Sequence, residues 1–481
     1  MPIPIRISAK LSTVQVPIEE MMNTTMRSRQ RRRMSRSFAE VEHSLSVSNV
    51  VVANAVAAIV DLVHHRSSKR TCSRTFRKRN RRSVRDIYRE LGKDYFRRAY
   101  RMKYGTFKRL ATGLRPCIIA AMGRTGTPRF IRNGQITLDF CLACALRWFA
   151  GGSAYDIMTT YSIGHTDTIK SVWYVVDAVN RHPRFNIVYP DDHDKQRSIA
   201  RGFQNVSSAG IDCCAGAVDG ILIWTHKPSP KDCMEAGCGP VKFLCGRKKK
   251  FGLNCQAVCD VRGRILDISI MYPGSSSDIL AFEGMSLFHK LEEGILAPGL
   301  CLFGDNAYLN TPYMATPYAA VSGGMKDSYN FYHSQLRIRI ECTFGMLTHR
   351  WAVLRSAIPM NITIQKTVAL VMALAKLHNY CINADDGTSN LTSTANDEWI
   401  TELNGAVPLV EPGDSDQDLI PQQLLDGGNH FDDVGGYAGR YNMQRRYNYI
   451  SETDGVLLPR DRLHSYISSI GFTRPTPLRR R

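Results

Sequence analysis

The sequence predicts an all-helical block followed by a mixed α/β block, set between a basic arm and an acidic segment. Three observations carry this. Charge is lopsided along the chain, the hydrophobic period changes from helical to alternating near residue 200, and single carboxylates interrupt apolar strands of the second block. At 481 residues the chain exceeds what one hydrophobic core usually organises, so two or three folded units are expected.

The arm, residues 1–83, holds most of the charge. Of a net +20, the first 110 residues carry 26 Lys and Arg against 8 Asp and Glu. An excess of this size points to an anionic partner. Two dense runs, RSRQRRRMSR (Arg27 to Arg36) and RTFRKRNRR (Arg74 to Arg82), suit phosphate neutralisation or nuclear import, and equally a solvated, largely disordered arm. The start lacks the regions of a secretory signal. The longest apolar runs, Val50 to Val60 and Val368 to Ala375, are too short or broken to span a bilayer, and fourteen cysteines fall without a regular framework. The expectation is an intracellular chain with reduced thiols and no membrane partner.

Residues 84–200 read as a helical, helix-turn-helix-like domain. VRDIYRELGKDYFRRAYRMKYGTFKRLATGL places apolar residues at helical spacing, broken at glycine. TLDFCLACALRWFAGGSAYDIMTTYSIGHTDTIKSVWYVVDAVN predicts a helix to Phe149, a break at Gly151-Gly152 and a short helix from Ser153. A turn at Ile163-Gly164-His165 then leads to a longer helix capped by Thr166. Helix, tight glycine turn, helix is how such a motif presents its second helix to a major groove. All-helical domains in general contain the same pattern, so binding of DNA and binding of a partner protein both stand. Cys141 and Cys144 lie in an amphipathic helix without a second pair at zinc-finger spacing, which assigns them to the core.

Residues 201–382 change period. AGAVDGILIWT reads as a buried strand, LNCQAVCDVRGRILDISIMY as two strands joined at Arg262-Gly263, SDILAFEGMSLFHKLEEG as a helix and GLCLFGD as a further strand. SQLRIRIECTFGMLTHRWAVLR reads as a helix with Glu341 near its middle. Asp219 interrupts the first strand, Asp278 follows the third and Asp305 ends the fourth. Each acid alone is commonly a turn residue, cap or ion-pair partner. Yet a carboxylate in an apolar strand loses hydration and needs compensation, which a divalent cation supplies. Mg²⁺ or Mn²⁺ prefers oxygen ligands, and two such ions held by converging acids activate a nucleophile and stabilise the departing oxygen of a phosphodiester. Asp219, Asp305 and Glu341 come from two strands and a helix, and the element order suits a ribonuclease-H-like arrangement. Residues 383–481 complete the chain as an acidic linker and tail: between Asn383 and Gly439 there are twelve Asp and Glu and no Lys or Arg.

From about Arg97 to Ile382 the chain resembles transposases of the PIF/Harbinger superfamily and the nucleases derived from them, which are DDE superfamily endonucleases. The resemblance is carried, in order, by YRMKYGTFKRL, LRWFAGGSAYDI, GAVDG, GRKKKFGLNCQAVCD, YPGSSSDILAF, FGDNAYLNTPYMATPY, RIRIECTFGMLTHRW and LHNYCI. It implies that Asp219, Asp305 and Glu341 are the catalytic acids and metal ligands. Asp278 resembles an acid the family keeps near the site, as an additional ligand or a supporting residue; a helix N-cap is the alternative. Arg247, Lys248, Lys249 and Lys250 form a basic turn placed to touch the DNA backbone. Arg337 and Arg339 steady phosphate or the acids, or else lie on a solvated helix face. His378 and Asn379 read as structural, and Cys233, Cys238 and Cys245 as ordinary loop thiols more than as a zinc site.

The resemblance implies a nuclear, metal-dependent endonuclease that excises a DNA element and joins its 3′-hydroxyl ends to target DNA. The expected partners are DNA, a Myb-like DNA-binding protein and a second copy of the chain, and two divalent cations are the expected cofactor. A domesticated, catalytically silent DNA-binding or scaffold protein is the alternative.

Overall fold

Five helices pack around a shared apolar stripe before the first strand begins, in a computed structural model that describes residues 81–123, 136–321, 323–359, 362–385 and 457–475, with a few positions between 444 and 455. The expectations for the basic arm and the acidic stretch fall almost wholly outside the described residues. α1 (Val84–Tyr100) opens with a reciprocal capping box between Ser83 and Asp86 and kinks at Gly92, whose φ is +81°. α2 (Tyr104–Ala121), α3 (Leu138–Phe149), α4 (Ala154–Tyr161) and α5 (His165–Arg181) follow. Phe96, Phe107, Leu114 and Phe149 are fully buried between them, and the buried hydroxyls of Tyr100 and Tyr161 hydrogen-bond to each other. Cys141 and Cys144 are buried in this core as expected. Ser153 caps α4, but Thr166 does not cap α5. The N-cap is Gly164, whose carbonyl takes the amide and hydroxyl of Thr168, and Thr166 lies inside the helix.

α6 (His193–Gln204) leads into the sheet. β1 (Cys214–Trp224) is its central strand, antiparallel to β3 (Lys250–Cys259), which in turn pairs antiparallel with β4 (Ile265–Pro273). On the other side β1 runs parallel to β5 (Cys301–Phe303), and β5 parallel to β6 (Met314–Ala315). The spatial order β4-β3-β1-β5-β6 joins an antiparallel meander to a parallel crossover. A short β2 (Leu244–Cys245) pairs with the start of β3 and follows the one-and-a-half-turn helix α7 (Pro230–Glu235). The predicted helix after β4 is two, α8 (Asp278–Glu283) and α9 (Ser286–Glu292); Gly284 is the C-cap of the first, and the Tyr272 ring lies where a Cβ on it would stand.

α10 (Gly324–Arg350) lies against β1 and β3, and α11 (Ile364–Asp385) against β4 and α5. The helical residues and the sheet therefore share one continuous buried cluster. Trp351, which follows α10 and is fully buried, ties the two through Nε1–H donated to the Leu374 carbonyl. Within the span read as linker and tail, α12 (Pro459–Ser469) packs on α10, burying Leu463 and Ile467. Among the described residues no helix is long and apolar enough to cross a membrane.

Candidate active site

Asp219 sits where β1 passes from fully buried residues, Cys214 to Val218, to half-buried ones. Its side chain is 18% exposed, its Oδ1 accepts the Gly220 amide at 2.7 Å, and Arg337 stands 3.5 Å from its Oδ2. Burial pushes this carboxyl up to about 6, helped by the negative charges of Asp305 and Asp278. Asp305 lies two residues beyond β5, its Oδ1 fixed by the Ala307 amide at 2.8 Å, and burial raises it above the ordinary carboxylate range as well.

Asp278 is the first residue of α8, not its cap. Ser277 caps the helix, its hydroxyl accepting the Leu280 amide. Oδ1 of Asp278 instead accepts Asn254 Nδ2 at 3.1 Å and Gln256 Nε2 at 3.0 Å, and Gln256 Oε1 accepts the Tyr308 hydroxyl at 2.6 Å. Asn254 and Gln256 stand two apart on β3 and so share one face of it. They pin the loop bearing Asp278 to the sheet and, through Tyr308, pin the loop bearing Asp305. Gly220 makes room for this: a Cβ there would overlap Gln256 Nε2 and Asp278 Oδ1. Sequence reading passed over Asn254, Gln256 and Tyr308; a polar pair two apart in the otherwise apolar strand LNCQAVC was the signal for the first two, and Tyr308, in a loop, left none.

Glu341, on α10, is 49% exposed and meets the aspartates only through Arg337, one helical turn earlier, whose guanidinium hydrogen-bonds to Oε1 of Glu341 and reaches Asp219. The structure thus brings Asp219, Asp305 and Asp278 into one field and joins Glu341 to them across a cation. Among the described residues no three acids, imidazoles or thiols stand as a ready metal cage. The donor set nevertheless fits a hard divalent ion. It offers only carboxylate oxygens, two of them raised by burial, and one guanidinium already supplies the positive charge such a set calls for.

The basic residues divide. Arg247 to Lys249 form the exposed turn of the β2–β3 hairpin, with Lys250 opening β3, and the charge of Arg247 acts on Asp305. Lys250 Nζ stacks over the Trp224 ring, 3.3 Å from its centroid. Arg339 lies on a different side of α10 from Arg337, beside Cys259 and Cys342. His378 and Asn379 clamp the β3–β4 hairpin. His378 Nε2 donates to the Gly263 carbonyl at 2.9 Å, and Asn379 exchanges two hydrogen bonds with the Ile265 backbone.

An antiparallel meander, a parallel crossover and acids on one strand, just past its parallel neighbour and on a covering helix are consistent with the ribonuclease-H-like frame of DDE endonucleases. Residues 218–379 match the family described as DDE superfamily endonuclease, and this chain carries a domain of that family. It is homologous, at modest identity, to "Putative nuclease HARBI1" of Bos taurus, with 25% identity over 304 residues covering 61% of this chain and 81% of the relative. The Homo sapiens protein of the same name is 24% identical over 306 residues with the same coverage. "Protein ALP1-like" of Arabidopsis thaliana is 22% identical over 271 residues, 53% of this chain and 64% of that protein. No solved structure matches the chain.

Proposed function

We propose that the chain is a metal-dependent DNA endonuclease that cuts phosphodiester bonds and joins the resulting 3′-hydroxyl ends to target DNA, as in cut-and-paste transposition. The observation that carries this reading is that Asp219 on the central strand feels the charges of both Asp305 and Asp278, with Glu341 one guanidinium away, inside the residues matched by the endonuclease family. Asp219, Asp305 and Glu341 would hold divalent Mg²⁺ or Mn²⁺, with Asp278 supporting, and the bound ions would stabilise charge on the attacking and departing oxygens. The chain's own part is positional. Asn254, Gln256 and Tyr308 hold the two aspartate loops against β3, and Arg247, Lys248, Lys249 and Lys250 bring positive charge to the strand's phosphates. Release of Arg337 from Glu341 lets that carboxylate join the aspartates and leaves a guanidinium free for phosphate. Nuclear residence, a Myb-like partner and self-association belong to the same reading and draw on the family resemblance and the basic arm.

Asp219→Asn, Asp305→Asn and Glu341→Gln keep shape and remove charge. Each is expected to abolish metal-dependent cleavage of DNA carrying the element's ends while binding stays nearly intact, and Asp278→Asn to impair it less. Cleavage measured on radiolabelled ends with Mn²⁺ checks this, and full activity in any of the three replacements would remove that acid from the site. A second reading, a silent DNA-binding protein, draws on one observation: Arg337 already occupies the space between Asp219 and Glu341. Millimolar Mn²⁺ separates the two. A cutting enzyme should gain thermal midpoint with the ion and lose most of that gain in Asp305→Ala, whereas a silent scaffold should gain nothing.

A further inference from the structure

Away from the carboxylates, a cavity of about 550 Å³ opens between α2, the turn at 182–186 and the end of α11. Three cations face it from three elements: Arg109, Arg184 and Lys376. Among the described residues none that lines it is acidic, and none of the three cations has a carboxylate partner. Lys376 is only 7% exposed and spends one proton on the Asn180 carbonyl at 2.9 Å, which leaves two for a ligand. The aromatic part of the wall is Phe185 and Tyr380, packed edge to face with centroids 5.5 Å apart, and Asn186 and Asn383 add amides. Holding three like charges around a cavity is unfavourable without an anion to fill it, and burial already lowers the affinity of Lys376 for its proton.

We infer that this cavity binds a nucleoside monophosphate unit, its phosphate among Arg109, Arg184 and Lys376 and its base against Phe185 and Tyr380. The volume lies within the ordinary range for small-ligand sites, and cations combined with aromatic faces and amides are the chemistry that holds an unpaired nucleotide. The choice of a nucleotide over other organic phosphates rests on the reading of the chain as acting on nucleic acid. The unit can be a free nucleotide or one residue of a single strand led away from the catalytic acids.

Gly113 supplies the test. It lines the cavity from α2, and a Cβ built there meets nothing within 4 Å, so Gly113→Leu starts into open space at the cavity wall and improves helix propensity. Calorimetry on the full chain would titrate dTMP and inorganic phosphate, and fluorescence anisotropy would follow a labelled single-stranded dT 12-mer. For a free nucleotide, dTMP should bind in the micromolar to millimolar range and weaken at least tenfold in Gly113→Leu and in Arg184→Glu, with Gly113→Ala close to the parent. For a strand, the 12-mer should weaken by a similar factor in the same two variants. An unchanged or higher thermal midpoint in Gly113→Leu excludes unfolding as the cause. The proposal is overturned if neither probe responds to Gly113→Leu, or if inorganic phosphate binds as tightly as dTMP. Cleavage is assayed separately: metal-dependent cutting with no cavity binding sinks only the cavity, and cavity binding without cutting sinks only the nuclease.

Discussion

Asp219 shows what a carboxylate inside an apolar strand costs. Its folded pKa of about 6 exceeds the ordinary 3.8, so the folded protein holds this proton more tightly than the unfolded chain does. The stability this contributes is present in full below about pH 4 and is lost as the pH rises through 6. Asp219→Asn removes the buried negative charge. It is expected to raise metal-free stability on the order of 2 kcal/mol at pH 7.5 and by little at pH 4. Urea unfolding in chelator at the two pH values measures the difference, and equal gains at both would mean that charge is not the cause. The same carboxylate has to lose its proton to take a cation, so the midpoint gain from Mn²⁺ should grow between pH 5 and 7. Gly220, its neighbour, works by absence. Gly220→Ala drives a methyl into the contact between Gln256 and Asp278, and a loss of roughly 1–3 kcal/mol together with weakened cleavage is expected.

At the scale of elements, the β3–β4 hairpin bears the sharpest demand. Gly263 turns it at a φ of +80°, and a side chain there would overlap Met346 on α10 while His378 and Asn379 hold the turn from α11. Gly263→Val should therefore destabilise by about 2 kcal/mol or more, read as a lowered thermal midpoint, whereas Gly294→Ala, also left-handed but facing open space, should cost less. The Arg262-Gly263 turn was legible from sequence because two alternating runs met at glycine. The strands bearing Asp219 and Asp305 were legible because a charge inside an apolar run is expensive. The break at Gly284 and the capping of α5 by Gly164 were not legible. The first shows only once the Tyr272 ring is seen to leave no room for a side chain at 284, and the second rests on the extended backbone of a residue without a side chain. Nor could spacing reveal that Arg337 comes between Asp219 and Glu341. Helical periodicity places Arg337 and Glu341 on one face, but says nothing of the rotamers that close the bridge.

At the scale of the whole molecule, the end of the chain returns to the sheet. The Asp461 carboxylate accepts the Tyr318 hydroxyl at 2.6 Å, Arg462 donates to the Gly299 carbonyl at 2.7 Å, and the Thr473 carbonyl accepts the Tyr332 hydroxyl at 3.0 Å. Gln444 exchanges hydrogen bonds with the backbone of Asn310, five residues past Asp305. Ile467, fully buried against this surface, makes the arrangement testable. Ile467→Ala should cost about 2–4 kcal/mol and lower the midpoint of the nuclease unit in a single transition, whereas a separate early transition would mean that α12 unfolds by itself. A ribosome releases α10 long before it reaches α12, with about 70 residues between the end of α11 and the start of α12. At ordinary elongation rates this amounts to several seconds or more. During that interval the face of α10 that Leu463 and Ile467 cover waits for them, so the nascent domain carries an apolar seam that α12 later closes. A message cut short before codon 459 would yield a protein with its acids in place and that seam open, a product fit for chaperones and proteases ahead of DNA.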